Sequence, residues 1–117
     1  MLHDQRSCAK LLWDARRAAD RIAKVTAGRS FEDYLSDEVL RWAVERQFIV
    51  IGEAMTVLRR IDLTVATGIL DLSRINVFRN VLIHGYASVD DRLVWGVIER
   101  DLSVLRLSLA RLLEAAV

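Results

Sequence analysis

The sequence predicts an all-α fold, a bundle of four to five helices running up and down, and three observations carry that expectation. Proline is absent and glycine occurs only 5 times in 117 residues, which is too little turn chemistry for an all-β chain. Leu and Ala are abundant. Apolar side chains recur at steps of three and four through most of the chain, the period of a helix that buries one face. At 13.3 kDa, residues 1–117 read as a single domain large enough to bury a core without disulfides or a structural metal.

Each element can be placed in turn. From Asp4 to Ala27 the residues Cys8, Leu11, Leu12, Ala15, Ala18, Ala19 and Ile22 form one stripe, with Arg16, Arg17, Asp20 and Arg21 mostly between them, and Gly28 follows as a C′ residue. Ser30-Phe31-Glu32-Asp33 resembles a capping box and starts one short turn. Ser36 then offers a second N-cap, with Asp37 and Glu38 in a first turn that favours anions. This second long helix runs to about Arg60, and its stripe is wide: Leu40, Ala43, Val44, Phe48, Ile51, Met55 and Leu58, joined by Val50, Ala54 and Val57. It is expected at the centre. Asp62 to Gly68 reads as a connection, Ile75, Phe78, Val81 and Leu82 as a helix ending at His84-Gly85, and Asp90-Asp91 as the start of a last helix carrying Leu93, Val97, Leu102, Leu105, Leu109 and Leu112. Trp13, Trp42 and Trp95 all lie within helical apolar patterns and are expected in the core or in dimer packing, not as platforms for bases.

Charge and composition narrow the function. Seventeen basic and 16 acidic residues leave a net charge of +1, so any contact with nucleic acid must be local. Fifteen of the 17 cations are Arg and only Lys10 and Lys24 are Lys; a GC-rich genome accounts for that bias as well as phosphate recognition does. Hydrophobic residues make up 53% of the chain, more than a small domain of typical composition carries, which points to a partner surface. A single cysteine, Cys8, and the lack of a signal-like start suggest a reducing, cytoplasmic setting. No apolar run approaches the ~20 residues of a membrane span. Two histidines and one cysteine provide no metal-ligand spacing, and phosphate loops and nucleophile elbows are missing. No cofactor is expected.

What remains is the string Arg79-Asn80-Val81-Leu82-Ile83-His84-Gly85-Tyr86, which places a permanent cation, an amide, an imidazole and a phenol within one short stretch. Asn80 and His84 are i and i+4 and share a face, so the amide can orient the imidazole. Arg79 and His84 are five apart, about 140° around a regular helix and ~7.5 Å along it. One copy presents them poorly to a single atom. Either the helix breaks at Gly85, or two copies meet and share a site, as two-fold dimers with identical facing patches do.

In its order and spacing, this Arg-x4-His-x-Tyr string resembles the signature of HepT-like ribonuclease toxins of the HEPN superfamily. Arg46 with Ile51-Gly52-Glu53-Ala54 resembles that family's second landmark, and Val89-Asp90, Val94-Trp95 and Asp101-Leu102 resemble its C-terminal helix. One departure stands out: the Pro-Trp pair common before the Arg-Asn motif is replaced here by Leu72-Ser73. The resemblance implies an HEPN-like helical homodimer with the motifs near the two-fold axis. It also implies a metal-independent endoribonuclease encoded beside a minimal nucleotidyltransferase antitoxin. Catalysis would fall to His84 as general base and Arg79 as phosphate clamp, with Asn80 orienting; Tyr86 would be the residue the antitoxin adenylylates. Arg46 and Glu53, two turns apart on one face, either support the site or form a structural polar pair. A non-catalytic helical partner of a nucleotidyltransferase, binding nucleotide or RNA, is the alternative reading, and a plain structural homodimer is a third.

Overall fold

The computed structural model describes residues 2–69, 72–85 and 89–116. Among them there is no strand, and seven helices follow one another: α1 (Leu2–Thr26), α2 (Phe31–Ser36), α3 (Glu38–Ile61), α4 (Leu63–Ala66), α5 (Leu72–His84), α6 (Asp91–Arg100) and α7 (Leu102–Ala116). Five have ten or more residues. The all-helical class and the central position of the second long helix both hold, because α3 packs against α1, α2, α4 and α5.

Local chemistry sets the boundaries. Gly28 takes φ +72°, the left-handed conformation that ends α1 where a side chain would strain. The capping box forms as read from the sequence: the Asp33 backbone N–H donates to Ser30 Oγ at 3.1 Å, and the Ser30 N–H donates to Asp33 Oδ2 at 2.9 Å. Those bonds hold the Asp33 carboxyl below the usual carboxylate range. The next cap falls one residue later than expected. Ser36 closes α2, and Asp37 is the N-cap of α3, accepting from the Leu40 N–H at 3.0 Å. A carboxylate here also meets the positive end of the helix, which favours Asp37 over the neutral serine.

Two further boundaries differ from the sequence reading. The segment after α3 is not only connection, since Asp62 caps the single turn α4 by accepting from the Val65 N–H at 3.1 Å. The predicted last helix is two. Asp101 separates α6 from α7 while its backbone continues the ladder on both sides, accepting from Leu105 and donating to Val97. Its side chain takes a 2.7 Å ion pair from Arg74 of α5, which ties the bend to the motif-bearing helix.

The core runs through α1, α3, α5, α6 and α7. Leu12, Ala15, Ala19 and Ile22 of α1 are fully covered, as are Val44, Phe48, Ile51 and Met55 of α3, with Ile75 and Phe78 of α5 and Leu109 of α7. Phe48 meets Phe78 edge-on at 4.6 Å between centroids, a favoured aromatic geometry. The contacts of α3 with α5 show the pair to be antiparallel, because Thr56 lies by Asn76 and Gly52 by Arg79. The tryptophans divide. Trp95 is buried against Phe31 and Tyr34, whereas Trp13 and Trp42 are 45% and 60% exposed on the chain's surface. The core expectation fails for both: Trp13 sits about 100° around its helix from the core position Leu12, and Trp42 lies on nearly the opposite face of α3 from Leu40 and Val44. Among the described residues no helix is long and apolar enough to cross a membrane.

Candidate functional site

Arg79, Asn80 and His84 lie on the second half of α5, and α3 behind it sets their directions. Gly52 is buried at the crossing. A methyl group at Gly52 would lie 2.2 Å from Arg79 Cβ and 2.6 Å from both Cγ and Cδ, so the arginine stem occupies the space that a side chain at 52 would fill. Thr56, one turn further on, donates its hydroxyl to the Gly52 carbonyl at 2.8 Å and lies 3.4 Å from Asn76 Oδ1. A narrow polar seam therefore runs between the two mostly apolar faces where α3 and α5 meet.

The stem of Arg79 is half-buried and its head is only partly satisfied. Nη1 donates to Asn80 Oδ1 at 3.2 Å, while Nε is buried with no acceptor among the described residues. A guanidinium has five N–H donors. Those that remain suit an anion with several oxygens, such as a phosphate.

Asn80 and His84 are both exposed and line one shallow groove of 540 Å³ with Val77, Val81 and Gly85. The i, i+4 spacing thus brings amide and imidazole to one face, although the amide oxygen accepts from Arg79. His84 has no hydrogen-bond partner among the described residues. Arg79 is not in the groove wall; it reaches the site through Asn80. Tyr86 lies outside the described residues.

Arg46 and Glu53 are both exposed on α3 and neither belongs to the groove. They form no ion pair with each other among the described residues. Glu53 follows Gly52 directly and so lies on the helix turn that touches Arg79. Gly52 itself entered the sequence reading only as part of a landmark. The available signal was a glycine inside a long helix, which costs about 1 kcal/mol against Ala and implies a close approach.

A second group of ionisable residues lies elsewhere. Burial pushes the Tyr34 phenol and the Glu45 carboxyl up, and Asp91 adds to both. Arg41 opposes these shifts, standing 3.9 Å from Asp91 and donating to the carbonyls of Tyr34 and Leu35. The Tyr34 hydroxyl has no partner among the described residues. These residues brace α2, α3 and α6 against one another. Among the described residues no group of three or more His, Cys, Asp or Glu side chains could hold a metal ion.

Comparison with known proteins gives a consistent picture. A family model described as "Ribonuclease HepT-like" matches residues 15–112, which span α1 to α7. A protein of Methanocaldococcus jannaschii named "Putative RNase MJ1380" is 24% identical over 102 residues, covering 87% of this chain and 93% of its own length. One from Thermococcus cleftensis named "Probable ribonuclease HepT" is 30% identical over 102 residues, covering 87% of this chain and 92% of its own length. No solved structure gives a significant match.

Proposed function

Because this chain belongs to the HepT-like ribonuclease family, we propose that it is a metal-independent endoribonuclease and the toxin of a pair with a minimal nucleotidyltransferase antitoxin. The observation that carries the reading is the end of α5. There an imidazole with no hydrogen-bond partner among the described residues and an amide share an open groove, and that amide is hydrogen-bonded to a guanidinium with further N–H donors.

RNA brings its own nucleophile. The 2′-OH lies next to the scissile phosphate, so a base that removes its proton and a cation that stabilises the pentacoordinate phosphorane are sufficient. His84 takes the proton at a ring nitrogen. The 2′-oxygen then attacks phosphorus, the 5′-oxygen leaves with a proton from an acid, and a 2′,3′-cyclic phosphate remains. Water in the open groove supplies that proton. Arg79 binds the non-bridging oxygens, and Asn80 fixes the guanidinium relative to the groove. Tyr86, two residues beyond His84, is the proposed target of the antitoxin. Transfer of AMP from ATP to its phenol oxygen, with release of pyrophosphate, would add a negative phosphodiester that competes with substrate phosphate for Arg79.

The test is cleavage of RNA by the purified protein in excess EDTA, with 2′,3′-cyclic ends. His84→Ala and Arg79→Ala should each lower kcat/KM by 10²-fold or more, as removal of a transition-state contact does, while the helical circular-dichroism signal stays unchanged. Equal cleavage by wild type and His84→Ala would refute the assignment.

A further inference from the structure

Along the outer face of α1, Lys10, Trp13, Arg17, Arg21 and Lys24 fall at steps of three and four. They form a stripe about 21 Å long on one side of the helix. With Arg16 beside it, this face carries five cations against two carboxylates, Asp14 and Asp20, in a chain whose net charge is only +1. The positive charge is therefore concentrated here. Lys10 pairs with Asp14 at 2.7 Å, and Asp20 is shared by Arg106 of α7 at 2.8 Å and Arg16 at 3.8 Å. Arg17, Arg21 and Lys24 have no carboxylate within 4.0 Å among the described residues.

Trp13 lies within this stripe, 45% exposed. Lys10 Nζ and Arg17 Cζ stand 5.1 and 5.0 Å from its ring, and a recess of 350 Å³ runs beside it, lined by Trp13, Arg16, Arg17, Asp20, Arg21 and Lys24. An indole edged by cations can stack a base while the cations hold the flanking phosphates, which is how sequence-tolerant surfaces bind single strands. A second copy of this chain is a poor occupant. A two-fold contact through this face would set the stripe against itself, cation against cation.

We propose that the outer face of α1 is a docking track for single-stranded RNA, separate from the groove on α5. It relies on the ribonuclease reading for the choice of RNA as the polyanion, but its test does not require cleavage. The track would give affinity and tolerance of sequence, leaving the groove to select the bond that is cut. Substrate length and salt would then act mainly through KM.

The experiment measures binding of a fully 2′-O-methylated single-stranded oligonucleotide, which cannot be cleaved, to the full chain by fluorescence anisotropy across a salt series. Arg17→Gln/Arg21→Gln/Lys24→Gln should weaken binding at least tenfold at low salt. It should also reduce the slope of log affinity against log salt by about 2, since each lost phosphate contact on a single strand contributes about 0.7. Trp13→Ala should weaken binding roughly 5- to 150-fold, with Trp13→Phe recovering most of the loss. Cleavage of an RNA dinucleotide, too short to use the track, should be the same in all these variants as in the wild type. If the wild type cleaves nothing, the ribonuclease reading fails while the binding comparison still decides the track. Unchanged affinity and slope in the triple variant would overturn the proposal. So would RNA affinity that survives while binding to an acidic protein partner is lost.

Discussion

Gly52 has no side chain where Arg79 needs the room, and this contact does most to determine how the guanidinium is held. A methyl group there would sit 2.2 Å from Arg79 Cβ, so Gly52→Ala must force α3 and α5 apart or turn the arginine away. Overpacking of this kind costs about 1–3 kcal/mol. The penalty should depend on Arg79. In an Arg79→Gly background the clashing carbon is gone, and Gly52→Ala should become neutral or stabilising, because Ala is the better helix former by about 1 kcal/mol. Denaturant midpoints of the four proteins in this cycle check the point, and an equal penalty in both backgrounds would rule the contact out as its cause. At this scale the sequence showed the motif more readily than its support. Asn80 and His84 share a face because four residues make slightly more than one helical turn, which any reader of spacing can see. That Asn80 accepts from Arg79, and that Arg79 reaches the groove only through it, depends on the neighbouring helix crossing at Gly52, and spacing within α5 holds no information about α3.

Elements were legible wherever one periodic stripe met one strong cap, as in α1 ending at Gly28 or α2 starting at Ser30. They were misread where two signals competed. Ser36 and Asp37 both can cap, and the carboxylate wins by its charge; α6 and α7 share one continuous apolar pattern, and the break falls at Asp101, whose side chain pairs with Arg74 of another helix. The α2–α3–α6 junction shows the same dependence on context and gives a pH prediction. Burial raises the Glu45 carboxyl, the neighbouring Asp91 adds to this and Arg41 opposes it, with the Tyr34 phenol also close by. A raised folded-state value means that the folded chain holds this proton more tightly than the unfolded chain. The stability it contributes is therefore present at low pH and lost as pH rises through the folded value. Glu45→Gln should accordingly raise the melting temperature at pH 7 and leave it close to wild type near pH ~4, where the carboxyl is largely protonated in both states. A lower melting temperature for Glu45→Gln at pH 7 would show that the carboxylate's attraction to Arg41 outweighs its burial.

Across the whole molecule the groups proposed for catalysis diverge: Arg79 leans its stem on α3, whereas Asn80 and His84 open outward from α5. The outward face is also apolar. Val77 is 61% and Leu93 43% exposed beside the groove, and Val77, Val81 and Leu93 help line an adjoining depression of 340 Å³ between α5 and α6. A second copy docked there by two-fold symmetry would cover this surface and bring one chain's His84 toward the other's Arg79. That arrangement can be distinguished from two independent sites by complementation. With a composite site, homodimers of Arg79→Ala or of His84→Ala chains would each be inactive, whereas a mixed dimer would keep one whole Arg79–His84 pair and lose both groups from the other site. An equal mixture that re-equilibrates freely is half mixed dimers, so it should recover roughly a quarter of wild-type cleavage. If each chain supplied both groups to its own site, mixed dimers isolated by two affinity tags would be as inactive as their parents. Val77→Glu supplies the second arm: a carboxylate facing its own copy across the axis should shift the mass toward monomer and abolish cleavage with the motif intact. A monomer that cleaves at the wild-type rate would overturn the composite site.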